Sequence, residues 1–222
     1  MYYQDLAIVL NRKVFQEDDL LINFYTKKYG KIVLQAVGAK KIKSKLAGHI
    51  EPMNLVKIEW VAGKTLNKLT GAVVSSSFSD IKNNLDKINY AQYFLNVVDK
   101  ITQVQHSDKN VFEFLKNVLE KLTSAEEKNL ALIKLSFDYK ILFLFGYNPV
   151  QRKELNFGEK EAVKKIINLS LDELIKMKFN KQILNKLYFK AKRFLEEVVE
   201  REVGVCWNFR VSPPFEGGVR GG

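Results

Sequence analysis

Residues 30–45 read Gly30-Lys31-Ile32-Val33-Leu34-Gln35-Ala36-Val37-Gly38-Ala39-Lys40-Lys41-Ile42-Lys43-Ser44-Lys45. Ile32, Leu34 and Ala36 alternate with Val33, Gln35 and Val37, the period of a β-strand, and Gly38 breaks the run. The strand empties into the run 40–45, where four of six residues are lysine. From Leu20 to Ile50 there is no Asp or Glu, yet Lys27, Lys28, Lys31, Lys40, Lys41, Lys43 and Lys45 fall inside that window. Several mobile ammonium groups at one rim of a sheet suit a polyanion, because each lysine that meets a phosphate releases condensed counterions. A merely solvated loop is the plainer reading of the same charges.

The same period extends to both sides. Leu20, Ile22 and Phe24 alternate with Leu21, Asn23 and Tyr25; Val56, Ile58 and Trp60 face inward while Lys57 and Glu59 face water. Gly30, Gly38, Gly48, Gly63 and Gly71 punctuate these runs as turns, bulges or bends. Five short strands in about eighty residues fit a small closed barrel, since closure removes exposed edges, and the OB-fold is the usual nucleic-acid binder of that kind. The expected organisation is α+β with more than one domain: an OB barrel at 1–79, then a helical domain at 80–210.

From Asp80 the period becomes helical. Leu85, Ile88, Ala91, Leu95 and Val98 form one stripe, and a second helix starts after Asp108 with Phe112, Leu115, Leu119 and Leu122. Ser124 with Glu127 reads as a capping box opening an apolar helix that ends at Phe145-Gly146, and Ser170 with Glu173 opens a shorter one. The last long helix carries Ile183, Leu184, Leu187, Tyr188, Ala191, Phe194, Leu195, Val198 and Val199 on one face. Residues 211–222, rich in Gly and Pro, are expected to be a disordered tail.

A chain of 222 residues with 46% hydrophobic residues can bury a real core in one large or two small domains. Its net charge of +11 and pI near 9.5 favour an acidic partner. Residues 1–80 hold 12 Lys+Arg against 7 Asp+Glu. One cysteine, Cys206, excludes an internal disulfide, and Met1-Tyr2-Tyr3-Gln4-Asp5 lacks the features of a signal peptide. The apolar stretch Leu130–Phe145 is interrupted by Lys134, Asp138 and Lys140, so a buried helix is expected and no membrane span. The expected setting is the cytoplasm.

Catalytic and metal signatures are missing. Gly63-Lys64-Thr65 resembles the end of a P-loop, but the glycine needed five positions earlier is Ile58 and a strand follows. His49, His106 and Cys206 are scattered and lack ligand spacing, so neither a metal, a nucleotide cofactor nor an enzymatic activity is expected.

Asp5 to Glu51 resembles the N-terminal part of the RecO family of bacterial recombination mediators. The pieces are Ala7-Ile8-Val9-Leu10, Glu17-Asp18-Asp19-Leu20-Leu21, Tyr29-Gly30-Lys31 and, strongest, the stretch from Ala36-Val37-Gly38-Ala39-Lys40-Lys41 to Ser44. Farther on, Ala91-Gln92-Tyr93, Leu144-Phe145-Gly146-Tyr147-Asn148-Pro149 and Lys192-Arg193-Phe194-Leu195 are similar to later family helices. Many relatives then carry two CxxC pairs that hold zinc; here Val150 to Phe157 contains no cysteine, so that module is reduced to a loop at about 147–158.

The resemblance implies a bacterial, nucleoid-associated protein of the cytoplasm that binds single- and double-stranded DNA and anneals complementary strands. It also implies RecR and the C-terminal tail of single-stranded DNA-binding protein as partners, and help in loading RecA on coated gaps. Lys40, Lys41, Lys43 and Lys45 would neutralise phosphates, helped by Lys27, Lys28, Lys31, Arg12 and Lys13. Phe24, Tyr25 and Tyr29 are candidates for base stacking; alternate members of the trio can instead be barrel core, the reading favoured for Phe24, and Tyr29 beside Gly30 is the one expected to be exposed. An acidic tail with an apolar end needs a slot and a cation, which the second half offers in Tyr139, Lys140, Phe143, Lys190 and Arg193. An RNA-binding OB protein or a non-catalytic helical adaptor would share the same composition.

Overall fold

Alternating apolar residues build five strands: β1 (Tyr2–Phe15), β2 (Asp19–Thr26), β3 (Gly30–Ala36), β4 (Leu55–Val61) and β5 (Asn67–Ser76). The computed structural model describes residues 1–104 and 107–203; His106, Cys206 and the 211–222 tail lie outside the described residues. The strands close in the order β1-β2-β3-β5-β4. β1 reaches both β2 and β4, and its register against β2 slips between Val9 and Asn11, the mark of a bulge that lets one strand bend around a small barrel. Parallel pairing of Leu34 with Asn67 and Gln35 with Lys68 completes the closure. This is the five-stranded OB architecture.

Leu20, Ile22, Phe24, Leu34, Ile58 and Trp60 share one buried core, each aliphatic among them stabilising the fold by roughly 1.5–3 kcal/mol relative to exposure. The long segment between β3 and β4 is irregular yet pinned, because Ala39 and Ile50 are buried in that same core. Tyr25 points to the opposite face of β2 and is buried too, its hydroxyl donating to the Asp108 carbonyl at 3.3 Å, so it is not available to stack on a base. Burial pushes that phenol up to about 12.

Helices follow: α1 (Ser79–Lys82), α2 (Leu85–Ile101) and α3 (Lys109–Ser124). The Asn84 side chain accepts the Lys87 N–H at 3.0 Å and caps α2, while Asp108 Oδ1 accepts the Asn110 N–H at 2.8 Å at the start of α3. The last strand ends at Ser76 and helix begins at Ser79, but compactness divides the chain elsewhere, into residues 1–124 and the residues from 125 onward. The expected boundary at 79/80 falls where strand gives way to helix.

The second unit contains α4 (Glu127–Leu144), α5 (Phe157–Asn168), α6 (Leu171–Lys176) and α7 (Lys181–Val203), with a 3-10 turn at Pro149–Gln151. The sequence-based capping box at Ser124 is corrected here. Ser124 is the last residue of α3, its hydroxyl donating to the Lys121 carbonyl at 3.4 Å, and the residue preceding α4 is Glu126, which makes no side-chain cap. The box expected at Ser170 and Glu173 is present, and another, unforeseen, joins Asn156 to Glu159 at the start of α5. Gly146, at φ +80°, ends α4 in the left-handed region, which glycine enters without a Cβ penalty. Leu135, Tyr139, Leu155, Val163, Leu184 and Tyr188 belong to this unit's core.

Candidate nucleic-acid interface

Gly38 is the point where barrel becomes lysine loop. Its φ of +63° turns the chain, and its N–H donates to Asp19 Oδ1 at 2.8 Å. Gln35 Nε2 donates to the other Asp19 oxygen at 2.6 Å. The Gly38 N–H, then the Gln35 amide, with Lys41 and Lys68 nearby, hold the Asp19 carboxyl below the usual carboxylate range. Asp19, the residue that closes the acid-free window, is thus the anchor of its loop.

The four loop lysines differ in their ties. Lys40 donates its backbone N–H to the Asp18 carbonyl at 2.9 Å and its ammonium to the Glu17 carbonyl at 2.8 Å. Lys41 lies 3.4 Å from Asp18 Oδ2 in an exposed pair. Lys43 and Lys45 are exposed and make no hydrogen bond or ion pair among the described residues. An exposed pair such as Lys41–Asp18 contributes only about 0–1 kcal/mol, so a phosphate can replace it readily.

Register places a row of side chains across four strands beside this loop. Lys13 of β1 faces Leu21 of β2, Leu21 faces Gln35 of β3, and Gln35 faces Lys68 of β5. Leu20, Ile22, Leu34, Ala36 and Leu69 are core, so the row lies on the outer face, about 14 Å long from three strand spacings and with a cation at each end. A groove of about 640 Å³ lies at its β5 end, between the β1–β2 turn and the β4–β5 turn, lined among others by Phe15, Gln35, Lys64 and Lys68. The β2–β3 face flanked by those two turns is where OB-folds take oligonucleotides. Arg12 is exposed, but its register partner Ile22 is core, so it stands on the other face of β1 from Lys13 and outside the row.

Gly63 makes the β4–β5 turn possible: a Cβ there would stand 1.9 Å from the Leu66 carbonyl oxygen. The likeness of Gly63-Lys64-Thr65 to a phosphate-binding loop is a hairpin turn. Lys64 and Lys68 are candidates that sequence reasoning misses, because isolated lysines carry no local signal; the β3–β5 register brings Lys68 to the row, and the β4–β5 turn brings Lys64 to the groove.

One row farther along, the outer face is closed by the protein itself. Asp99 of α2 accepts from Asn11 and, at 2.9 Å, from Asn23, and pairs with the Lys31 ammonium at 2.8 Å. That ammonium also donates to the Asp99 carbonyl. Lys31 is thereby committed to holding α2 on β1, β2 and β3, and its side chain is only 13% exposed. Lys27 is 2.7 Å from Glu113 of α3, whose carboxyl it holds below the usual range.

The expected site residues therefore divide. Lys27, Lys28 and Tyr29 stand at the β2–β3 turn, and Lys40 to Lys45 follow the other end of β3, about 20 Å away along the seven-residue strand. Lys28 is exposed. Tyr29 is 38% exposed and meets Tyr3 and Trp60 edge-on, with centroids 5.8 and 5.3 Å away. Phe24 is core, as its alternation suggests.

In the second unit, Tyr139, Pro149, Leu155 and Phe194 line an apolar slot of about 120 Å³, with Arg152, Lys190 and Arg193 around it. The Arg152 guanidinium lies 4.2 Å from the Phe194 ring centroid. Lys190 donates to Glu159 Oε2 at 2.7 Å. Burial works to raise that carboxyl, but Lys190 and the Asn156 N–H hold it below the ordinary range. Arg193 stays 81% exposed. Lys140 and Phe143 do not line the slot; Lys140 donates to the Leu169 carbonyl and burial lowers its pKa, and Phe143 is exposed. Residues 147–158 form the 3-10 turn and the entry to α5, and among the described residues no group of three or more His, Cys, Asp or Glu stands where it could hold a metal. No described helix is long and apolar enough to cross a membrane.

Comparison with known families places both halves together. Residues 1–78 match "Recombination protein O N terminal" and residues 82–170 match "Recombination protein O C terminal". The DNA repair protein RecO of Pelotomaculum thermopropionicum is 22% identical over 235 residues, covering 90% of this chain and 91% of that protein. That of Alkaliphilus metalliredigens is 28% identical over 143 residues, 64% of this chain and 58% of that protein. That of Clostridium perfringens is 29% identical over 141 residues, 64% and 57% respectively. In the latter two, the match spans less than two thirds of the relative's length.

Proposed function

Because the chain belongs to the RecO family, whose members serve DNA repair and recombination, we propose that it binds single- and double-stranded DNA at this outer row and anneals complementary strands. The observation that carries the reading is the open row Lys13-Leu21-Gln35-Lys68, bordered by a lysine loop that the protein anchors through Asp19 and in which Lys43 and Lys45 keep exposed, unpaired ammonium groups among the described residues. Phosphates of one strand displace water and counterions from these ammonium groups, a sequence-independent attraction that weakens as salt rises. Cations on a rim and on the adjacent face can neutralise two strands at once, lowering the repulsion that opposes pairing. No nucleotide is consumed in such a step. Acting with RecR, the protein would help RecA load on gaps coated by single-stranded DNA-binding protein.

The slot in the second unit fits the tail of that coating protein. A terminal apolar side chain would enter between Tyr139 and Phe194, and its carboxylate would meet Arg193 or Lys190. Fluorescence anisotropy of a labelled tail peptide with the full chain tests this: Arg193→Glu should weaken binding, and equal affinity for both proteins would remove the slot from consideration. The main reading is tested by annealing complementary oligonucleotides with and without the coating protein. Acceleration by the chain alone, lost at high salt, is expected. Annealing no faster than in buffer would refute it.

A further inference from the structure

Ile42 stands in the middle of the lysine run and is fully exposed. Its position is fixed by more than chance. The Ser44 N–H donates to the Lys41 carbonyl at 2.8 Å, so Ile42 and Lys43 are the two corner residues of a hydrogen-bonded turn. The feet of the loop are held on both sides. Ala39 and Ile50 are buried in the barrel core, and Lys40 is tied through its N–H and its ammonium to the Asp18 and Glu17 carbonyls. Val37, next to Gly38, is also exposed. A single exposed aliphatic residue is common on a protein surface; one held at the corner of an anchored turn between Lys41 and Lys43 is a shaped feature.

What could cover it must satisfy both chemistries. A partner that accepts Lys41, Lys43 and Lys45 is a polyanion, and one that also buries a branched aliphatic side chain between those charges has an apolar interior within a few ångströms of its phosphates. The stacked bases of a duplex meet both conditions, and isoleucine is one of the side chains that proteins wedge between base steps.

We propose that Ile42 is an apolar wedge that the lysine loop inserts into the base stack of bound duplex DNA, an inference that rests on the reading of this loop as a DNA contact. The lysines supply attraction without sequence preference, and Ile42 supplies a preference for steps that open at low cost. Unstacking is cheapest at a mismatch or at a flexible pyrimidine–purine step, so the wedge would direct the protein to imperfect duplexes over uniformly paired ones. Such a bias suits a protein that brings strands together, because partly paired intermediates contain these openings.

The test uses the full chain and duplexes carrying 2-aminopurine, whose fluorescence rises on unstacking, placed beside a single mismatch or in a fully paired sequence. The wild-type protein should raise the fluorescence of the mismatched duplex and bind it about tenfold more tightly than Ile42→Ala does, the loss expected for one unburied aliphatic side chain. Ile42→Ala keeps every charge, so its log–log salt dependence should match that of the wild type, while Ile42→Leu should restore the fluorescence change. An equal signal from Ile42→Ala, or none from the wild type despite salt-dependent binding, would overturn the wedge and leave the DNA site standing. Absence of salt-dependent binding to any DNA would instead overturn the parent reading and the wedge with it. Ile42-dependent binding to anionic phospholipid vesicles, with no DNA signal, would assign the residue to a membrane surface and refute the proposal.

Discussion

Asp99→Ala should destabilise the first unit far more than a surface carboxylate substitution does. In the native structure Asp99 takes the Asn11 and Asn23 amides and the Lys31 ammonium, tying α2 to three strands of the barrel. The pair is nearly enclosed, with side chains 13% and 14% exposed, so it lies closer to the buried regime than to the surface one. Removing one partner of a buried pair costs about 3–5 kcal/mol, against about 0–1 kcal/mol for an exposed pair. The Asp99 carbonyl remains to receive Lys31, which argues for the lower end, about 3 kcal/mol. Urea denaturation followed by tryptophan fluorescence, with Trp60 as the probe in this unit, measures the change directly. A double-mutant cycle with Lys31→Met should return a coupling above about 1 kcal/mol. A loss below about 1 kcal/mol with no coupling would refute the assignment of Asp99 as the fastening point. Lys31→Met should leave the salt dependence of DNA binding unchanged, since its ammonium is already taken.

Asp19 has a carboxyl held below its ordinary pKa, so its contribution to loop anchoring is complete at neutral pH and at pH values above the unfolded carboxylate value of about 3.9. It should vanish as pH falls through the lower, folded value; NMR of the Gly38 amide should show its protection lost only under those acidic conditions, whereas loss near pH 6 would contradict the assignment. Asp19→Asn should reproduce the acid form at neutral pH. Gly63→Ala should distort the β4–β5 turn, because the added methyl meets a backbone carbonyl, and weaken DNA binding without changing the charge of the protein; unaltered affinity would remove that turn from the site.

Strand alternation made the barrel legible, since Leu20, Ile22, Phe24, Ile58 and Trp60 all turn inward as their spacing requires. The lysine loop was legible for the same reason: its charges are contiguous in sequence. Lys31 was not, because its partner Asp99 lies 68 residues away and a local pattern carries no trace of that pairing. Lys68 reaches the candidate site only through the parallel β3–β5 register, and Lys64 only through the fold of the β4–β5 turn. The mistaken capping box at Ser124 shows the complementary limit. A Ser and a Glu three residues apart fit a helix start, but a connection of only Ala125 and Glu126 leaves Ser124 inside the preceding helix. In the second unit Tyr139, Lys190 and Arg193 line one slot with Phe194 beside them, whereas Lys140 and Phe143 share the sequence neighbourhood and not the slot.

The central claim is that the lysine loop meets DNA phosphates. The direct test is the slope of log affinity against log salt for single-stranded DNA, compared between the wild type and the variant with Lys40, Lys41, Lys43 and Lys45 all changed to Ala. About five phosphate contacts give a wild-type slope near −3.5, and losing four should bring it to about −0.7. An unchanged slope and affinity in the variant would place the DNA site elsewhere on the molecule.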